Sequence, residues 1–272
     1  MAEEIIDSSD GKLYNWKELW RYRELFYFFS WRDVKLRYKQ TVLGFLWAVL
    51  QPLVMMIIFT FFFGRALNIP SQNIPYPVYV LSGLVIWNLF STGLTGAAQS
   101  MVNNALIVNK IYFPRLVIPV AAVLVSLFDF VIAFALLVII LIWYGQPVAL
   151  TALYYWPLAI ITAIVATLGL GCWLSALNVK YRDIRYVIPF MIQILFFLTP
   201  VIYPISMLKF PVLQYILVMS PSYAAVELFR VPITGTVPDL TLLSISLGSG
   251  IILLVVGVLY FRKTEDFFAD YA

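Results

Sequence analysis

Five runs of this chain, at residues 42–63, 78–98, 118–144, 152–177 and 240–261, are each at least 21 residues long, and together they hold one charged residue, Asp129. At ~1.5 Å per residue a 22-residue helix is about 33 Å long, enough to cross a hydrocarbon layer of roughly 30 Å. Composition agrees: 62% of the residues are hydrophobic and 12% charged, against about 25% charged in soluble domains. The runs are too long, and their period too helical, for ten-residue barrel strands. The chain is therefore expected to be an all-α integral membrane protein. Pro52 should kink the first span.

Between these runs the pattern changes. Residues 186–203 form a shorter apolar stretch broken by Thr199-Pro200 and Tyr203-Pro204, read as a fifth span. Residues 210–219 are too short to cross and suggest a re-entrant segment, followed by a small amphipathic piece at 223–230. The expected architecture has six transmembrane helices with re-entrant outer helices between spans five and six. It divides into a flexible tail (1–14), an amphipathic interfacial helix (15–41), the six-span domain (42–263) and a C-terminal tail (264–272). In the interfacial helix Tyr27, Trp31, Val34 and Tyr38 follow one helical face, while Arg32, Lys35, Arg37 and Lys39 supply charge for an anionic leaflet. The acidic start, with Glu3, Glu4, Asp7 and Asp10, is unlike a cleaved signal.

Charge sets the topology. With six spans, fifteen Lys and Arg fall on one side and three, Arg65, Lys209 and Arg230, on the other. Basic residues are retained in the cytoplasm, so both termini, the 99–119 stretch and the 178–185 turn are expected there. The 99–119 stretch is interrupted by Asn103, Asn104, Asn109, Lys110 and Arg115 and stopped by Pro114. Val102, Leu106 and Lys110 lie at i, i+4 and i+8, which predicts a short helix over 102–112 with one apolar edge.

The chemistry has clear gaps. No histidine is present and Cys172 is alone, so His-based catalysis, His- or Cys-cluster metal sites and an intramolecular disulfide are excluded. No phosphate-binding G-x-x-x-x-G-K-[ST] occurs. Asp129 is deep in a span; a hydrogen-bonded position at a helix interface is expected ahead of a transport role. Glu227 is expected to be interfacial. Trp143, Tyr144, Tyr154, Tyr155 and Trp156 suit an interfacial belt, and Gly169 and Gly171 suit close helix packing. Trp47, Gln51, Trp87, Gln193, Phe196, Phe197 and Tyr203 are candidates to line a path, since aromatic planes pack on sugar rings and amides bond hydroxyls; core or lipid-facing positions are the alternative.

Three segments taken together, RYKQTVLGFLWAVLQPL (37–53), NKIYFPRLVIP (109–119) and NVKYRDIRYVIP (178–189), resemble the transmembrane subunit of ABC-2 type exporters. The similarity covers residues 34–263 and is nearest the polysaccharide and O-antigen branch, with teichoic-acid exporters beside it. It implies a homodimer bound to two copies of a separate ATPase, which would hold ATP and Mg, with no cofactor on this chain. It implies that spans one and five line the path. The coupling helix would comprise Val102, Asn104, Leu106, Asn109, Lys110, Tyr112, Pro114 and Arg115. A second cytoplasmic turn would present Lys180, Tyr181, Arg182, Asp183 and Arg185. The N-terminal helix, through Tyr27, Trp31, Arg32, Lys35 and Tyr38, would gate substrate access. The cargo would be a lipid-linked glycan moved outward across the bacterial inner membrane, and no nucleic acid is implied. Rival functions are an ABC-2 exporter of drugs or small lipids, an ATP-independent carrier or flippase depending on Asp129, and a membrane scaffold.

Overall fold

A computed structural model describes residues 20–39, 44–108, 110–111, 113–181 and 183–265. Its helices, in chain order, are α1 (Arg23–Lys39), α2 (Gly44–Phe59, continued by a π-helical stretch Thr60–Ala66), α3 (Tyr76–Asn103), α4 (Ala105–Val108), α5 (Val117–Trp143), α6 (Ala152–Lys180), α7 (Ile184–Leu198), α8 (Pro211–Val218), α9 (Tyr223–Thr234) and α10 (Leu240–Glu265). Five of them are long and apolar enough to cross a membrane: α2 with its π-helical end, α3, α5, α6 and α10. The expected fifth span is shorter than the 186–203 stretch suggests. Its helix, α7, has 15 residues, about 22 Å, and ends where Thr199 turns extended. The pair α8 and α9 is bent by 102° at its break, the angle of a broken span or a re-entrant hairpin.

The second span is the hub. In its most apolar stretch 78% of α3 is buried, against 11% for the first span, because α5, α6, α7 and α9 surround it. A helix shielded by protein need not be greasy all round, and α3 carries Ser82, Gly83, Gly93 and Ser100 in the buried set. The first and fifth spans instead stand at the periphery. Trp47, Phe61 and Phe62 on α2 and Tyr186, Phe190 and Phe197 on α7 are all exposed.

Close packing depends on missing side chains. A Cβ on Gly257 would stand 2.0 Å from the Gly169 carbonyl oxygen, and one on Gly169 would stand 2.6 Å from the Leu254 nitrogen. Spans four and six therefore cross backbone to backbone, the way small residues let helices associate where lipid supplies no hydrophobic drive. Gly171 does the same against Ala97 on span two.

The expected helix over 102–112 is not a unit. Span two continues through Asn103 and absorbs Val102, and Asn104 then ends it: its side-chain amide and its backbone N–H both donate to the Ser100 carbonyl. What remains is the single turn α4. Leu106, on the apolar edge that spacing gave, is 78% exposed, and Val108 and Phe113 are the residues buried. Asn109, Tyr112 and Arg182 lie outside the described residues, as do residues 1–19, 40–43 and 266–272.

The interfacial helix is also repositioned. Ser30 donates to the Ala121 carbonyl and Tyr38 to Asp129, the same offset of 91 residues. Helix α1 thus runs alongside the first half of α5 and in the same direction, so it does not lie flat across the helix ends. The expected aromatic face mostly points away from the protein. Tyr27 and Trp31 are exposed and stacked on each other, and Phe29 is the residue that plugs inward. A cluster of Phe113, Val117, Phe261 and their neighbours receives it, which outweighs the periodicity.

Gly257→Ala should force spans four and six apart. We expect it to lower both membrane yield and the thermal unfolding midpoint in detergent. Gly248→Ala, on the same helix with nothing within 4 Å of the added carbon, should match or slightly exceed the parent in the same melt, since alanine is favoured over glycine in helices by about 0.5–1 kcal/mol.

Candidate functional site

The two ends of the bundle are chemically distinct. At one end lie α1, α4, the start of α5 and the ends of α6 and α10, and most of the basic residues are there. Its core is the cluster of Phe29, Met101, Val108, Phe113, Val117, Cys172, Val179 and Phe261, drawn from α1, spans two, three, four and six and the turn after α4. Around it polar clasps fix the parts. The Arg32 guanidinium donates to the Asn104 amide oxygen at 2.7 Å and to Asp33 and lies 5.0 Å from the Phe29 ring. Phe29 meets Phe113 at 5.7 Å between centroids. The Arg115 backbone N–H donates to the Glu265 carboxylate at 3.0 Å, and its guanidinium to the Glu265 carbonyl.

The 105–111 turn is therefore joined to the N-terminal helix and to the end of span six. It also presents an outward surface: Leu106, Lys110 and Ile111 are exposed, as are Lys180, Tyr181, Asp183 and Arg185 on the other turn, where the Lys180 ammonium lies over the Tyr181 ring. Pro114, half-buried, starts the turn into α5, accepting from the Val117 N–H at 3.0 Å.

Asp129 is spent on structure. Its two carboxylate oxygens accept from the Arg37 guanidinium and the Tyr38 hydroxyl, the interface position expected from sequence. Burial, then the hydrogen bond to the carboxylate, pushes the Tyr38 phenol above its ordinary range, so it stays a donor. Lys35 is exposed, with its ammonium over Trp31.

The candidate lining residues separate into two groups. Trp47, Gln51, Gln193 and Phe197 lie on the open faces of α2 and α7. Trp87 does not: it is 6% exposed, enclosed against Phe90 and Phe196, a packing residue in this chain. Phe196, half-buried, also stacks on Phe59 and so joins spans one, two and five. Tyr203 donates to the Phe197 carbonyl at 2.9 Å. Of the expected belt, Trp143, Tyr144 and Tyr154 are exposed. Trp156 turns inward, donating to the Phe229 carbonyl at 3.1 Å and stacking on its ring.

The opposite end turns on a residue that sequence reasoning counted only as an outer charge. Arg230 on α9 is 1% exposed. Its guanidinium donates to the Tyr79 hydroxyl at 3.0 Å, the Pro200 carbonyl at 2.7 Å, the Tyr79 carbonyl at 3.2 Å and the Val201 carbonyl, and lies 3.9 Å from the centroid of the Tyr79 ring. Gly83 leaves room for it, since a Cβ there would meet the Arg230 Nη2 at 2.2 Å. A second knot is made of hydroxyls: Thr199, Ser220 and Ser222 contact one another at 2.8–2.9 Å, and Ser246 on span six donates to the Ser220 carbonyl. The outer hairpin is thus fastened to spans two, five and six. Glu227, one turn before Arg230, is half-buried.

A many-span helical membrane protein with a hub helix, peripheral spans one and five, a fastened outer hairpin and an exposed turn at its basic end has the form of a transporter's membrane subunit. The family model for ABC-2 type transporters matches residues 24–233, and the chain belongs to that family. It is 31% identical over 241 residues to an O-antigen export system permease protein of Klebsiella pneumoniae, covering 88% of this chain and 91% of the relative. It is 33% identical over 195 residues to one of Myxococcus xanthus, covering 71% and 73%. Against a polysialic acid transport protein of Escherichia coli the identity is 22% over 236 residues, covering 86% and 91%.

Two outcomes follow from the clasps. Arg230→Met strips a buried cage of its donors, leaving carbonyls unpaired at about 1–3 kcal/mol each, and should lower the unfolding midpoint in detergent by about 5 °C or more. Arg230→Lys should not restore it, since an ammonium lacks the planar fork. Asp129→Asn leaves Arg37 without its counter-charge and should speed amide exchange across residues 23–39, read by hydrogen–deuterium exchange.

Proposed function

We propose that this chain is the permease subunit of an ATP-driven exporter that moves a lipid-linked polysaccharide outward across a bacterial cytoplasmic membrane. It works as a homodimer with two copies of a separate ATPase, which hold the ATP and Mg. The observation that carries the proposal is similarity across about nine-tenths of both chains to an O-antigen export permease. The geometry supports it: the 105–111 turn offers Leu106, Lys110 and Ile111 to a soluble partner while its inner side is built into the core. The excess of basic residues at this end favours its retention in the cytoplasm, with both termini.

In this mechanism, closure of the ATPase pair displaces the 105–111 turn. The displacement passes through Arg32–Asn104 and Phe29–Phe113 to α1, and through Arg115–Glu265 to span six. The open faces of spans one and five, carrying Trp47, Gln51, Gln193 and Phe197, border the path between two copies. A polymer needs many weak contacts there, which aromatic planes and amides supply without a charged trap. Pairing of Asp129 with Arg37 and Tyr38 removes the acid that an ATP-independent carrier would need.

Affinity purification from native membranes in mild detergent should bring down a Walker-type ATPase in stoichiometric amount. Replacing residues 110–114 by a Gly/Ser linker should abolish that association. Deleting the chain should remove surface polysaccharide; a rise in drug sensitivity with surface glycan intact would transfer the assignment to a drug or small-lipid exporter. Trp47→Ala and Phe197→Ala should each reduce surface polysaccharide, measured by extraction and gel analysis.

A further inference from the structure

The hub helix carries a polar stripe that packing does not explain. Ser91, Thr92, Thr95, Gln99 and Asn103 recur at helical spacing on one face of α3, and all of them open onto a cavity of about 880 Å³. Its remaining walls come from α1, with Arg32 and Arg37, from α4, with Leu106 and Ile107, from α5, with Ala122 and Val125, and from α7, with Pro189 and Ile192. Polar groups inside a membrane bundle are costly unless they find partners. Here the partnering is incomplete in a particular way. The Thr92 and Thr95 hydroxyls donate to the Asn88 and Ser91 carbonyls of their own helix, at 2.6 and 2.8 Å. That uses each proton and leaves the oxygen lone pairs as acceptors. Toward the end of α3, Gln99 is half-buried and Asn103 exposed, and each side-chain amide offers two donors and an acceptor to whatever enters the cavity.

The charge in this cavity is already committed. Arg32 is held by Asp33 and Asn104, and Arg37 by Asp129. What the wall offers a ligand is a row of uncharged acceptors and amide groups, the complement of a polyol and a weak match for a free anion. The volume lies in the roughly 300–1,000 Å³ range of sites that enclose a small ligand.

We propose that this stripe is a sugar-binding wall, where hydroxyls of the glycan are held in a vestibule between α1 and spans two and five before they reach the path. The proposal rests on the export function above and names where in the chain the sugar is met. It assigns Thr92, Thr95, Gln99 and Asn103 as binding residues, none of them among the aromatic and amide positions read from the sequence as path lining.

The experiment uses the complete transporter with its ATPase in cells making their own lipid-linked glycan. Thr92→Val with Thr95→Val keeps side-chain volume and removes the acceptors; Gln99→Leu removes the amide. Each should cut surface glycan by about tenfold, the loss of two or three hydrogen bonds, with lipid-linked glycan accumulating inside and the ATPase still co-purifying. Thr95→Ser should keep export. A second measurement does not depend on how those variants fold: Thr95→Cys is treated with a charged, water-soluble thiol reagent in inverted vesicles, the native Cys172 being buried. It should label readily in vesicles from cells blocked in glycan synthesis and slowly in vesicles from glycan-producing cells. Normal surface glycan in both sets of variants, or labelling at the same rate in both vesicle types, overturns the sugar-binding wall. A parent protein whose loss leaves surface glycan unchanged overturns the export function itself, and the wall with it.

Discussion

Arg230 is the interaction on which the outer half of this molecule depends. A guanidinium enclosed to 1% exposure needs partners, and here its two Nη groups meet two carbonyls from the chain just after span five and a carbonyl and hydroxyl from span two, while the buried Nε has none among the described residues. The backbone at Pro200 and Val201 has left helical geometry, so its carbonyls lack the partners a continuing helix would give them. A short fifth span, a bend after Leu198 and a buried arginine therefore form one solution. The helix can stop early because Arg230 takes up the carbonyls it abandons, and Gly83 is small because the guanidinium occupies the space a side chain would fill.

The basic end solves a different problem. The turn there is exposed on its outer side and held on its inner side. Asn104 is central to the holding. It ends span two by donating to Ser100, and it accepts from Arg32 on the N-terminal helix. The apolar cluster beneath it joins α1, the 101–121 stretch, span four and span six around Phe29, Phe113 and Phe261, so the turn is packed to both α1 and span six. Between the two ends the hub helix is buried by its neighbours and not by lipid, which allows a hydroxyl and amide stripe to exist within a span at all.

Much of this was legible in the chain. Run length gave the long spans, charge asymmetry marked one end of the bundle as basic, and the prolines and short runs of 200–238 marked a stretch of short, broken helices. Gly169 read as a packing glycine and faces span six at backbone distance. Asp129 read as an interface acid and is one. Three motifs on different loops were enough to suggest the family.

The misses share a cause. Periodicity places residues on a face but does not say which face is covered. Tyr27 and Trp31 form a regular aromatic stripe and stay exposed, but nothing in the spacing marks Phe29 as the buried residue, because the core that receives it is drawn from residues about 70 to 230 positions away. Trp87 looked like a lining residue and is sealed between spans. Arg230 counted as one outer charge among three, since nothing local shows the Tyr79, Pro200 and Val201 oxygens converging on it. The Ser91–Asn103 stripe stood in plain view at helical spacing, but its meaning depends on a cavity whose walls come from α1, α3, α4, α5 and α7. Sequence by itself determined the solvent this chain lives in and its long helices, because those follow from length and hydropathy along the chain. Only the tertiary structure decided which polar groups are partnered and which are left facing open space, because hydrogen bonds and cavities are made between elements far apart in sequence.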